Sequence, residues 1–138
     1  MSATYLADKS ALARMSSPKV AAKLGPLILR GEVATCGVIE FEVLFSARSE
    51  NDLNVTRARR AVAFPRVPMF EEDFARAEEV IAQLAKSGRH RAASLPDLLI
   101  AATAERASLV VLHYDADYDV IASVTGQPVE WVAPKGTL

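Results

Sequence analysis

Short apolar runs alternate with helix-patterned stretches along the 138 residues, and this alternation predicts an α/β fold with a mostly parallel sheet and helices on both faces. Two further observations agree. Leu109-Val110-Val111-Leu112 is a continuous apolar run, as a strand covered on both faces requires. The connections are short and no internal repeat is visible. A chain of this length closes around one core, and 51% hydrophobic with 24% charged residues is the make-up of a packed globule rather than a disordered chain. A single domain over 1–138 is expected.

Each element has a local justification. Tyr5-Leu6-Ala7 reads as a strand closing on Asp8, and a helix-prone stretch follows from Ser10 to about Met15. Pro18 opens a second helix with Val20, Leu24, Leu27 and Ile28 at helical spacing, and Gly31 ends it. A brief strand covers about 33–36. From about 38 to 47, Val38, Ile39, Phe41, Val43, Leu44 and Phe45 occupy nearly the whole helical circumference, which predicts a buried helix interrupted by Glu40 and Glu42. A polar helix follows over about 52–64. Pro65 and Pro68 leave room only for a short edge segment at Arg66-Val67. The next helix, Glu71 to about Lys86, carries Phe74, Ala77, Val80, Ile81 and Leu84 as its apolar positions. After a loop at 87–91, Ser94 caps a helix with Pro96 in its first turn, running to about Ala107. The apolar strand ends at His113-Tyr114-Asp115, a helix over about 118–125 is capped by Gly126, and Val129–Val132 forms a last strand.

Composition narrows the function classes. No apolar stretch reaches the roughly 18–20 residues that span a bilayer, and Met1-Ser2-Ala3-Thr4 carries no basic leader, so the expected location is the cytoplasm, with no membrane partner. The lone Cys36 cannot make an internal disulfide, and no Cys/His spacing fits zinc. Sixteen basic against 17 acidic residues leave the decision about nucleic acid to charge distribution. Bases gather at Arg57, Arg59 and Arg60 and at Lys86, Arg89, His90 and Arg91.

In a parallel sheet the working crevice lies beyond the carboxyl ends of the strands. Asp8 follows the first strand, Asp97 opens a helix ahead of the clearest strand, and Asp115 and Asp117 follow that strand. Glu42 is a fourth contributor if its helix turns toward the crevice, with Glu40 competing on the same ground. Each acid also has an ordinary structural reading: Asp8 and Asp115 as helix caps, Asp97 as a first-turn acid, Asp117 and Asp119 as surface groups. Convergent carboxylates raise one another's pKa unless a cation offsets them, and oxygen donors select Mg²⁺ or Mn²⁺. Phosphodiester hydrolysis is the reaction class that fits such a site.

Four strings carry a family likeness: Tyr-Leu-Ala-Asp-Lys-Ser ending at Ser10, Phe-Glu-Val-Leu-Phe-Ser-Ala-Arg ending at Arg48, Pro-Asp-Leu-Leu-Ile-Ala-Ala from Pro96, and His-Tyr-Asp-Ala-Asp-Tyr from His113. In this order they resemble the VapC toxins, PIN-domain ribonucleases of toxin–antitoxin pairs, over essentially the whole chain. The resemblance implies a PIN-like three-layer sandwich with the catalytic acids on Asp8, Glu42, Asp97 and Asp115 and an additional metal-binding acid on Asp117. It selects Glu42 over Glu40. It further implies a VapB-like antitoxin covering the active groove, an RNA substrate, a toxin–antitoxin hetero-oligomer, and a homodimer built from helices near the first half of the chain. Lys9 departs from the Thr or Ser common after the first Asp, and with Arg89, His90 and Arg91 it is a candidate RNA contact. His113 stands where many members carry a small hydroxyl residue, and there it either assists proton transfer or fills space at a strand end.

Other readings fit the residues less well. A dehalogenase-like phosphatase wants an acid where Ser10 stands, and a receiver domain wants paired acids at its start and a late strand lysine. The alternative from another class is a catalytically silent PIN-like module acting through its partner, which has no need of so costly a cluster of like charges.

Overall fold

Residues 3–138 are described by the computed structural model; Met1 and Ser2, part of the leader-free reading, lie outside the described residues. Among them four short strands, β1 (Tyr5–Ala7), β2 (Val33–Ala34), β3 (Val110–His113) and β4 (Val129–Trp131), pair entirely in parallel in the order β2-β1-β3-β4. The helices are α1 (Lys9–Leu12), α2 (Pro18–Leu29), α3 (Gly37–Phe45), α4 (Glu50–Ala63), α5 (Glu71–Ala85), α6 (Leu95–Arg106) and α7 (Asp117–Thr125).

Strand alternation divides the core in two. Leu6, Ala34 and Val111 face one layer, with Ile39 of α3, Ala77, Val80 and Leu84 of α5, most of α6, and Ile121 of α7. Ala7, Val33 and Leu112 face the other, with Ala11 of α1 and Val20 and Leu24 of α2. Successive side chains of a strand point to opposite faces, so a sheet covered on both sides needs the unbroken apolar run that β3 shows. This is the three-layer sandwich expected.

Local signals set the boundaries. Ser17 is extended ahead of Pro18, which occupies the first turn of α2. The helix expected from Ser10 to Met15 therefore ends early, at Leu12. Ser49 and Ser94 accept backbone N–H groups of Asp52 and Asp97 at the starts of α4 and α6. Gly126 closes α7 at φ +71°. The Pro65–Pro68 segment contributes one parallel bridge, Thr35 to Arg66, at the edge beside β2.

Two expectations fail. The helix expected to be buried, α3, is not: Ile39 is fully covered, but Phe41 and Phe45 are 76% and 94% exposed. All-round hydrophobicity signals burial only when every face has a partner within the chain, and the protein layer covers one face of α3. Arg60, expected in an exposed basic group, is buried. Its guanidinium donates to both oxygens of Glu40, at 2.7 to 3.1 Å, and lies over the Phe64 ring. Among the described residues, no helix is long and apolar enough to cross a membrane.

Candidate metal centre

β1 and β3 are neighbours running the same way, with Tyr5 in register with Val110 and Ala7 with Leu112. The chain therefore leaves the sheet at Asp8 and after His113 on the same edge, and Asp8 N–H still donates to the Leu112 carbonyl at 2.9 Å. Asp8 then caps α1, its Oδ2 accepting from Ser10 N–H at 3.0 Å. Asp115 Oδ1 accepts from Asp117 N–H at 2.9 Å, opening α7. Asp117 Oδ2 in turn accepts from Ser94 N–H at 3.0 Å, which ties α7 to the residue capping α6. Capping and clustering are one arrangement here: the turns that present these carboxylates are held by the carboxylates themselves.

All five acids are brought together. Ligand-capable oxygens of Asp8, Glu42 and Asp97 lie within 4.8 Å of one another, as do those of Asp97, Asp115 and Asp117, so Asp97 belongs to both sets. With Lys9, Ser10, Ala13, Arg14 and Ser94 they line an open cavity of about 300 Å³. Glu40 takes no part. Burial alone would raise its pKa, but hydrogen bonds from Arg60 and Thr35, with the charges of Arg60 and Arg66, hold it below the usual carboxylate range. Glu40 is thus a structural anchor and Glu42 a cavity residue, the choice helical periodicity left open.

The crowding has an electrostatic cost. Burial, the charge of Asp8, a hydrogen bond with Asp117 and the charge of Asp115 push Asp97 up to about 8. Glu42 is raised by burial and by the charges of Asp8 and Asp115, against the opposing charge of Lys9. The donors are carboxylate oxygens throughout, and burial with their mutual repulsion raises Asp97 and Glu42. That crowding of negative charge and that oxygen-only set fit a hard divalent cation.

The other expected contacts divide. Lys9 lines the cavity. Arg89, His90 and Arg91 are exposed on the loop ahead of Ser94 and do not line it. His113 is fully buried; its Nδ1 accepts from Asp115 N–H at 3.1 Å, and its ring lies 4.9 Å from those of Tyr118 and Trp131. Burial lowers its pKa, and its Nε2 has no hydrogen-bond partner among the described residues. Asp119 sits outside the cluster, accepting from Trp131 Nε1.

Three residues at the cavity escape sequence reasoning. Ser10 Oγ accepts from Tyr114 N–H at 2.9 Å, joining α1 to the end of β3. Arg14 donates to the Ser10 carbonyl at 2.8 Å and covers the Tyr114 ring at 4.4 Å, bringing a cation beside the acids. Tyr118, fully buried, donates from its hydroxyl to Asp8 Oδ1 at 2.8 Å and Asp97 Oδ1 at 3.1 Å. The i to i+4 step from Ser10 points to Arg14, and Tyr118 closes the His113–Tyr118 string that carries the family likeness, although that string alone gives it no role at the site.

Comparison with known proteins bears on the family and the fold. The PIN domain family model matches residues 5–124. Ribonuclease VapC21 of Mycobacterium tuberculosis is 42% identical over 137 residues, covering 99% of both chains. Ribonuclease VapC51 of the same organism is 40% identical, covering 100% of this chain and 99% of its own. Among solved structures, a chain of the DNA-bound VapBC of Salmonella typhimurium superimposes with a TM-score of 0.77 at 16% identity, covering 95% of this chain and 99% of its own. That last likeness is one of fold.

Proposed function

Because the chain belongs to the PIN-domain family, with VapC ribonucleases as its full-length relatives, we propose that it is a metal-dependent endoribonuclease, the toxin of a VapBC-type toxin–antitoxin pair. The observation that carries this reading is the five-carboxylate cluster with Asp97 common to both of its halves. Asp8, Glu42 and Asp97 would hold a cation on one side, Asp97, Asp115 and Asp117 on the other. Mg²⁺, or Mn²⁺ in its place, would supply Lewis acidity toward a phosphoryl oxygen and would lower the pKa of water. Lys9 and Arg14 at the cavity wall bind the RNA backbone, and Arg89, His90 and Arg91 extend that contact outward. Ser10 and Ser94 keep the acid-bearing turns fixed.

The protein acts as a single domain in the cytoplasm and works through two protein partners. Leu29, Phe41, Phe45 and Val62 are exposed on α2, α3 and α4, and Phe41 and Phe45 adjoin Lys9 and Glu42 beside the acidic cavity. This is the surface we assign to a VapB-like antitoxin, which would close the groove. The first-half helices are then occupied, and we assign the homodimer contact to α5 instead. Phe74, Glu78, Ile81, Leu95 and Leu99 line an apolar cleft there. The exposed edge of α5 is acidic at Glu71, Glu72 and Glu78, and Lys86 at its C-terminal cap is basic. A two-fold antiparallel approach with the small Ala82 near the axis sets acids against bases.

The test is direct. The purified chain, incubated with total RNA, should produce new defined ends only when Mg²⁺ or Mn²⁺ is present, and Asp8→Asn or Asp97→Asn protein should produce none. Unimpaired cleavage by these variants would refute the reading, and metal-dependent RNA binding without cleavage would favour the silent module.

A further inference from the structure

We propose that Tyr118 is a positioning residue of the metal centre, its buried hydroxyl fixing the orientation of Asp8 and Asp97 so that both present their remaining oxygens to one cation. The inference rests on the reading that the acidic cluster binds a divalent ion, and it adds a residue from outside the set of carboxylates.

The hydroxyl lies in the seam between the end of β1 and the first turn of α6. It donates to Asp8 Oδ1 at 2.8 Å and to Asp97 Oδ1 at 3.1 Å, groups 110 and 21 residues away in sequence. Among the described residues it is the sole hydrogen-bond donor to either of these oxygens. Asp8 Oδ2 is occupied by Ser10 N–H, so Asp8 is gripped at both oxygens, whereas Asp97 is held by Tyr118 and by its carboxyl contact with Asp117. Neighbouring carboxylates repel, and a free side chain relieves that repulsion by rotating into solvent. A donor behind the pair opposes such rotation. The tyrosine itself cannot yield: it is fully buried, packed on the His113 ring at 4.9 Å and held by the first turn of α7, where its N–H donates to the Asp115 carbonyl at 3.2 Å. The same residue therefore couples the Asp115–Asp117 turn to Asp8 and Asp97. A core aromatic with no such role has no reason to end on two carboxylate oxygens, because a phenylalanine would fill the same volume without an oxygen that needs partners.

Partners that orient metal ligands are worth about 10- to 100-fold in metal affinity when removed. Tyr118→Phe keeps the ring and deletes the hydroxyl alone. Mn²⁺ affinity, followed by electron paramagnetic resonance of the free ion, should weaken by about that factor, while far-UV and near-UV circular dichroism in EDTA stay like those of the parent. Equal affinity in the parent and Tyr118→Phe overturns the proposal. Absence of Mn²⁺ binding by the parent itself overturns instead the metal-centre reading, so the two failures are separable. Should Tyr118→Phe not fold, the parent carrying ¹³Cζ-tyrosine answers the question. Its three tyrosine signals are assigned with Tyr5→Phe and Tyr114→Phe, the Tyr118 signal by elimination. With Mg²⁺ added, that signal should shift and saturate with cation binding; a Tyr118 signal indifferent to Mg²⁺ overturns the proposal.

Discussion

Asp97 is common to both halves of the acidic cluster, and its environment makes its behaviour predictable. An unfolded aspartate titrates near 3.9, whereas burial and its acidic neighbours push this one to about 8 in the cation-free fold. Between those values the folded state holds a proton that the unfolded state has released. Cation-free stability therefore falls as pH rises from about 4 to 8, and the full penalty is present above 8. Melting in EDTA should drop across that window. Asp97→Asn should flatten the profile and melt higher than the parent at pH 8, by roughly 3–8 °C, while losing protection by Mg²⁺. A binding cation must displace the proton, so the parent's apparent Mg²⁺ affinity should rise by up to about tenfold per pH unit below 8. Calorimetric titration at three pH values reads this slope, and a flat profile would contradict the placement of Asp97 at the shared position.

At the scale of elements, α3 shows what a sequence can and cannot disclose. Its start, its length and the apolar character of its faces are local properties and were legible, as were the caps at Ser94 and Gly126 and the unbroken run of β3. The destination of each face was not, because that depends on what lies opposite. Glu40 and Glu42 are two residues apart and look alike in sequence, yet one is neutralised by Arg60 of α4 and the other meets the acids. Only the likeness to a family separated them, since the deciding partner stands 20 residues away. For the same reason Arg60 groups in sequence with Arg57 and Arg59, and Tyr118, though inside the His113–Tyr118 string, is given no part in the site by the sequence. Removing Arg60 strands Glu40 in a half-buried setting. Arg60→Ala should cost about 3 kcal/mol in urea unfolding, and adding Glu40→Gln should recover much of it. A loss near zero would show that the pair is solvated and does not hold α4 against α3.

For the whole molecule, a net charge of −1 conceals a strongly uneven distribution. Acids meet at the sheet edge, while α5 begins at Glu71 and Glu72 and is capped by Lys86 at its other end. If that polarity guides self-association, Ile81→Asp should give monomers in sedimentation equilibrium under conditions where the parent is dimeric. Glu78→Lys should weaken the dimer and Lys86→Glu in the same chain should restore it; a restored apolar contact without charge rescue would place the axis elsewhere. The pairing of β1 with β3 has another consequence. Tyr5 waits for Val110, and Asp8 for Asp115 and Asp117, so the first and last thirds of the polypeptide must meet before the acidic cluster is assembled. A polypeptide not yet folded end to end therefore keeps these carboxylates scattered, and the cluster comes into being only with the finished sheet.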